Sequence, residues 1–142
     1  MTTTTSIQTK VISCINPPTL LDTSAYGFSQ VVVAPNAGHT VYLSGQSSSD
    51  TEGNIVGKTM AEQVAKAFKN LKCAIEASGG RPEHVVKIQL LLVNHQEDYV
   101  GCIQSELKQL FGDHLPASTL IPVPRLALDA MLFEIDATLV IL

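Results

Sequence analysis

Residues 59–92 narrow the possible folds more than any other stretch, because they read as a self-contained helix followed by a half-buried strand. Thr59-Met60-Ala61-Glu62 fits a capping box: a threonine hydroxyl takes a free amide of the first turn, and a glutamate three residues on reaches back. Val64, Phe68, Leu71 and Ile75 then recur at helical spacing, with Ala67 and Ala74 beside them, and Gly79-Gly80 closes the helix. Directly after it, Val86, Ile88, Leu90 and Leu92 alternate with Lys87 and Gln89, the period of a strand with one buried face. A one-striped helix and a one-faced strand each need an apolar partner, and each supplies what the other lacks.

The rest of the chain extends this unit. Lys10 to Ile15 reads as a first strand, closed by Asn16-Pro17-Pro18, which cannot continue a ladder. Leu20 to Gly27 reads as a loop and Gln30 to Ala34 as a valine-rich strand. Pro35-Asn36-Ala37-Gly38 has turn chemistry, so Thr40 to Ser44 is expected to return as the second arm of a hairpin. A polar loop covers Ser47 to Lys58. A second helix is expected from about Glu97 to Phe111, with Val100, Ile103, Leu107 and Leu110 inward and Gly112 at its end. Thr119 to Val123 and Met131 to Leu142 read as the last two strands. The order predicts an α+β fold, a sheet with both helices on one face, whose open face calls for cover by other subunits. One domain over residues 10–142 is expected, with residues 1–9, a threonine-rich run, as a disordered tail.

Composition excludes several function classes. The formal net charge is -4 and no Lys/Arg cluster exists; Lys66, Lys69 and Lys72, the densest group, share one solvated helix face. A nucleic-acid partner is therefore not expected. Cys14, Cys73 and Cys102 are odd in number and widely spaced, which predicts reduced, buried thiols in a cytoplasmic protein. The start lacks the basic and apolar regions of a secretory signal, and no apolar run reaches the roughly 18 residues of a membrane helix. His39, His84, His95 and His114 have neither ligand spacing nor a cysteine nearby, so no metal is expected. No phosphate-binding loop, dinucleotide fingerprint or nucleophile elbow occurs.

Three segments carry a family likeness. Val41-Tyr42-Leu43-Ser44-Gly45-Gln46 is an apolar strand ending in Ser-Gly-Gln. Leu115-Pro116-Ala117-Ser118-Thr119 follows the second helix, and Phe133-Glu134-Ile135-Asp136-Ala137 lies in the last strand. In this order the series, spanning Val11 to Val140, resembles the Rid (reactive intermediate deaminase, YjgF-type) family. The resemblance implies a chorismate-mutase-like mixed sheet, a homotrimer, a small-molecule substrate in a cleft between subunits and no cofactor. It implies hydrolysis of a small imine to a carbonyl compound and ammonia. A ribonuclease role, an older label for the family, is opposed by the acidic charge.

The same resemblance suggests roles for particular residues. Glu134 matches the carboxylate that holds the attacking water; an ordinary polar strand face or an interface hydrogen bond is the other reading. Ser44 and Gly45 match the cleft floor, or form a plain strand end. Phe28 stands where active members often carry tyrosine and forms an apolar cleft wall or core packing; Tyr26 lies two residues earlier. Active members usually place a substrate-binding arginine directly after the Pro-Ala. Here Ser118 or, one residue on, Thr119 occupies that place. The spacing from Pro116 to Glu134 differs by one residue from the common pattern, which leaves the register between the two open. Only Arg81 and Arg125 exist in the chain. Arg125, in the loop joining the last two strands, is either a displaced anchor or a surface cation. Without an arginine, a shifted substrate preference is one expectation and a non-catalytic binding trimer the other.

Overall fold

The structure, a computed structural model, describes residues 11–36 and 38–142, so the expected tail and the start of the first predicted strand lie outside the described residues. Four strands make the main sheet: β3 (His39–Gln46), β4 (Val85–Val93), β5 (Ala117–Val123) and β6 (Phe133–Ile141), in the order β3-β6-β4-β5. β6 runs antiparallel to both its neighbours, while β4 and β5 are parallel. Hence β3, β4 and β5 all point one way. Each step between them needs a crossover, and α1 (Met60–Ala77) and α2 (Tyr99–Phe111) provide the two. Crossovers of one hand leave both helices on one side of the sheet. The α+β class with two helices on one face is therefore what the structure shows.

The α1 stripe forms as expected: Val64, Phe68, Leu71 and Ile75 are all buried. Phe68 stacks on Phe133 of β6 with ring centroids 6.1 Å apart. The Thr59 hydroxyl accepts the Glu62 N–H at 3.2 Å, but the Glu62 carboxylate reaches one residue past the cap, to the Lys58 N–H at 2.9 Å. α2 starts two residues later than expected and buries Ile103, Leu107 and Phe111. In β4 the alternation holds from Ile88 to Leu92, but a register shift between Val85 and Lys87 turns Val85, not Val86, into the core.

The N-terminal strands depart from the hairpin expectation. β1 (Ser13–Ile15) and β2 (Val31–Val33) pair antiparallel with each other as a separate two-stranded sheet. The Ser29 N–H donates to the Pro116 carbonyl at 2.9 Å, and Ser29 bridges Ala117 in parallel. This holds the N-terminal unit at the β5 edge, opposite the β3 edge, so β2 does not pair with β3. Asn16 Oδ1 stiffens the unit by accepting the Gln30 N–H at 2.9 Å. The expected buried thiols are also corrected: Cys73 is exposed on α1, and Cys14 and Cys102 are half-buried.

Two amide side chains on α1 tie down loops. Gln63, buried, donates to the carbonyls of Ala130 (2.8 Å) and Gly57 (3.1 Å) and accepts the Leu132 N–H (2.7 Å). Asn70 donates to the carbonyls of Ser47 and Ser49, each at 2.8 Å. Gln63→Leu keeps the volume but removes the side-chain partners of three part-buried backbone groups. We expect a loss of about 3 kcal/mol, read as a lower urea midpoint at fixed protein concentration. An unchanged midpoint would show that the clamp is idle.

Candidate functional site

Strand alternation sorts the candidate residues onto two sides of one sheet. Phe133, Ile135, Ala137 and Leu139 of β6 point at the helices and are buried; Glu134, Asp136 and Thr138 point the other way. Across β6 and β4, Glu134 faces Leu91, Asp136 faces Gln89 and Thr138 faces Lys87. Across β4 and β5, Gln89 faces Thr119 and Lys87 faces Ala117. The open face thus carries Glu134, Asp136, Gln89, Thr119 and Lys87. Tyr42 joins them from β3, opposite Thr138.

Gly45 and Glu134 are brought into contact. A register shift between Leu43 and Gln46 swings the end of β3, and the Glu134 carboxylate lies over the Gly45 backbone. A Cβ at residue 45 would collide with Glu134 Oε1 and sit 2.6 Å from Cδ and 2.9 Å from Cγ. The glycine thus leaves room for the carboxylate: a Cβ there would make the Glu134 side chain move, and no left-handed backbone is involved. Ser44 is exposed beside it. The clamps described above hold both partners: Asn70 fixes the loop leaving β3, and Gln63 fixes the loop entering β6.

The sheet puts Ser118 and Thr119 on opposite faces. Thr119 is exposed on the open face, in the row of Gln89 and Asp136. Ser118 pairs with Ile88 and points to the helix side. There it meets Phe28 in a cavity of about 260 Å³ between the N-terminal unit, α2 and β5. Leu21, Leu90, Val100, Ile103, Leu107 and Leu120 make the apolar walls, and Ser118, Gln104, Thr23 and Tyr26 are its polar lining. No ionisable carboxyl, lysine, arginine or histidine lines it. Ser118 and Phe28 are thus together, but across the sheet from Glu134.

Arg125 is not delivered to either place. Its guanidinium donates to Asp129 at 2.6 Å within its own loop, with a largely exposed side chain. Arg81 is likewise exposed and paired with Glu83 at 3.1 Å. The cation on the open face is one the motif reading passed over, Lys87, whose Nζ donates to Thr119 Oγ1 at 2.8 Å. Alternation alone puts Lys87 opposite the core. Its meeting with Thr119 depends on the β4–β5 register, to which no local motif points.

The remaining chemistry is sparse. Burial pushes the Cys14 thiol up, offset in part by hydrogen bonds from Ser29 and Leu115, and burial likewise raises Cys102, so neither is an activated nucleophile. His114 sits half-buried in the turn after α2, its Nε2 without a partner. Among the described residues no group of three His, Cys, Asp or Glu could hold a metal. None of their helices is long and apolar enough to cross a membrane. A carboxylate, hydroxyls and one ammonium on a sheet face can bind a small polar molecule and orient a water.

Gly45→Ala should cost about 1–3 kcal/mol through overpacking against Glu134. Adding Glu134→Ala should return most of that loss, a coupling measured by a double-mutant cycle in chemical unfolding. Simple additivity would place the carboxylate elsewhere.

Comparison with known proteins identifies the family. The family model described as endoribonuclease L-PSP matches residues 21–141. The 2-iminobutanoate/2-iminopropanoate deaminase of Dermatophagoides farinae is 32% identical over 115 residues, 80% of this chain and 85% of that protein. The enzyme of the same name from Rattus norvegicus is 32% identical over 133 residues, 93% and 90% of the two chains. Among solved structures, the Rid-family protein YyfB of Yersinia pestis superimposes with a TM-score of 0.87 at 30% identity, covering 92% of this chain and 98% of that one. RidA from an Antarctic Psychrobacter gives 0.64 at 28% identity, covering 80% and 88%. With the matched segment taking in β2 to β6, both helices and every candidate residue, this chain belongs to the endoribonuclease L-PSP family, the Rid proteins.

Proposed function

We propose that this chain hydrolyses a reactive imine or enamine to a carbonyl compound and ammonia, with a substrate preference shifted by the lack of an arginine at residues 118 and 119. The observation that carries the reading is the Glu134 carboxylate held over Gly45 on a face with hydroxyls and a cation. Two of the curated relatives bear the name of an imine deaminase. Imine hydrolysis asks little of a protein. A water must be held in line with the imine carbon, and a base must take its proton as the new C–O bond forms. Glu134 supplies the acceptor. That proton passes to the nitrogen, which gives a carbinolamine; the hydroxyl proton then follows it, the C–N bond breaks, ammonia leaves and the carbonyl forms.

The open face supports assembly as a homotrimer. Tyr42 is 80% exposed there and Ile121 lies at the same face. Such a face in a lone chain is an interaction surface. Copies that cover it would enclose Glu134 in the kind of cleft the resemblance implies.

Glu134→Gln tests the reading. It keeps the shape and removes the base, so kcat/KM for 2-iminobutanoate hydrolysis should fall by about 10²–10⁴-fold. An amino-acid oxidase generates the imine, and its decay is followed with and without protein. Equal acceleration by the variant would overturn the role of Glu134, and no acceleration of this imine or of a neutral imine by the unmodified protein would overturn the deaminase reading. A second reading, a non-catalytic binding protein, is favoured by the uncharged cavity around Phe28 and Ser118. It expects a neutral ligand to raise Tm while no imine decays faster.

A further inference from the structure

We infer that the cavity between the N-terminal unit, α2 and β5 binds a neutral small molecule, an apolar ring or chain carrying one carboxamide-type group, and that Gln104 and Ser118 read that group. The ligand class follows from the lining of the cavity, which lies across the sheet from Glu134, so the inference does not need the deaminase reading.

The walls are held without help from a ligand. Gly27 ends the short turn Ser24–Tyr26 with φ +89°, and a Cβ there would stand 3.0 Å from Leu107 Cβ and 3.6 Å from the Gln104 carbonyl oxygen. The missing side chain lets the N-terminal unit come down onto α2. Beside it, the buried Thr23 hydroxyl lies 2.8 Å from the Phe28 carbonyl and 3.0 Å from Asn16 Oδ1, so its one hydrogen is spent inside the unit. The Ser29–Pro116 bond fixes the same segment to the start of β5. Phe28 is thereby set as a wall. Leu21 and Tyr26 are exposed, so the cavity reaches solvent at their end.

The lining decides what fits. An apolar cavity of about 150 Å³ holds one benzene. At about 260 Å³ this one has room for a ring and a short polar arm. No carboxyl, lysine, arginine or histidine lines it. A charged ligand would lose its water there and gain no counter-charge. Two polar side chains enter from different walls, Ser118 from β5 and Gln104 from α2. Among the described residues neither has a hydrogen-bond partner, and neither is sealed off from the cavity. A hydroxyl and a primary amide each give and accept hydrogen bonds. They match a neutral group that also does both, and they cannot offset the charge of a carboxylate. A mostly apolar hollow with a few unpaired polar groups is the ordinary form of a small-molecule site.

Benzamide, benzoate and benzene test the site, because they share one ring and differ in the polar group. The isotope-labelled full chain is titrated with each, and backbone amide shifts are followed by NMR. Benzamide should shift Phe28, Gln104 and Ser118, and benzoate should bind at least about a hundredfold more weakly. Gln104→Leu and Ser118→Ala should each weaken benzamide by about three- to tenfold and leave benzene unchanged. Ser118→Arg should put benzoate ahead of benzamide, since it brings a cation to the cavity. Equal affinity for benzoate and benzamide in the unmodified protein, no benzamide binding, or shifts confined to another region overturns the site. Benzamide affinity unchanged in both Gln104→Leu and Ser118→Ala overturns the role given to those two residues. Should Ser118→Arg fail to fold, the order of benzamide and benzoate in the unmodified protein decides. If benzamide binds here and no imine decays faster, the site stands and the deaminase reading falls. If imines decay faster and benzamide does not bind, the reverse holds.

Discussion

Everything in this chain hangs on the two-residue period of β6. The strand is paired on both edges, to β3 and to β4, so its backbone groups are spent on the ladder and its side chains are fixed in direction. Its odd-numbered residues from Phe133 to Leu139 fill the core against both helices. Its even-numbered residues from Glu134 to Thr138 make the polar centre of the other face. A slip of one residue would bury two carboxylates under α1 and expose a phenylalanine. The core and the candidate site are thus set by a single register, and the stability of one protects the geometry of the other.

A strand fixes direction but not position along its length. That finer setting comes from α1. Gln63 and Asn70 face inward from the same helix and grip backbone groups of two different loops, one entering β6 and one leaving β3. Glu134 and Gly45 stand just inside those loops. One buried and one half-buried amide with short hydrogen bonds resist displacement, because each lost bond would leave a partly desolvated partner. Support from an element that does not touch the substrate is what keeps a small site in register.

Much of this was legible in the residues. The stripe from Val64 to Ile75 and the alternation of Phe133 with Glu134 are local patterns, and both formed; of the capping box at Thr59 the hydroxyl half formed, while Glu62 reached Lys58 instead. The motifs around Ser44, Pro116 and Glu134 pointed to the family. What local patterns lack is the partner of each strand. The turn chemistry at Pro35-Asn36 argued for β2 against β3, yet the Ser29–Pro116 bond holds β2's unit at the far edge. Spacing left Ser118 and Thr119 interchangeable; pairing with Ile88 and Gln89 separated them. Lys87 read as one polar tooth of β4, because its neighbour on β5 lies 32 residues away in sequence. Gln63 was hidden for the same reason, its partners at Ala130 and Leu132 being 67 and 69 residues distant.

The sheet also divides the chain by charge, and this bears on what the protein can bind where. Moving a carboxylate into the cavity beside Ser118 and Phe28 would strip its water without offering a cation, a cost of several kcal/mol. Neutral, mostly apolar molecules alone suit that side. The open face has the opposite defect. There an exposed ammonium at a threonine hydroxyl competes with water and salt, and in a lone chain such a contact contributes about 0–1 kcal/mol. Covering the face with further copies lowers the local dielectric and strengthens the pull on an anion. Selective anion binding and association of copies on this face are then linked. An anion bound on this face would favour the assembled form, and the assembled form would hold the anion more tightly.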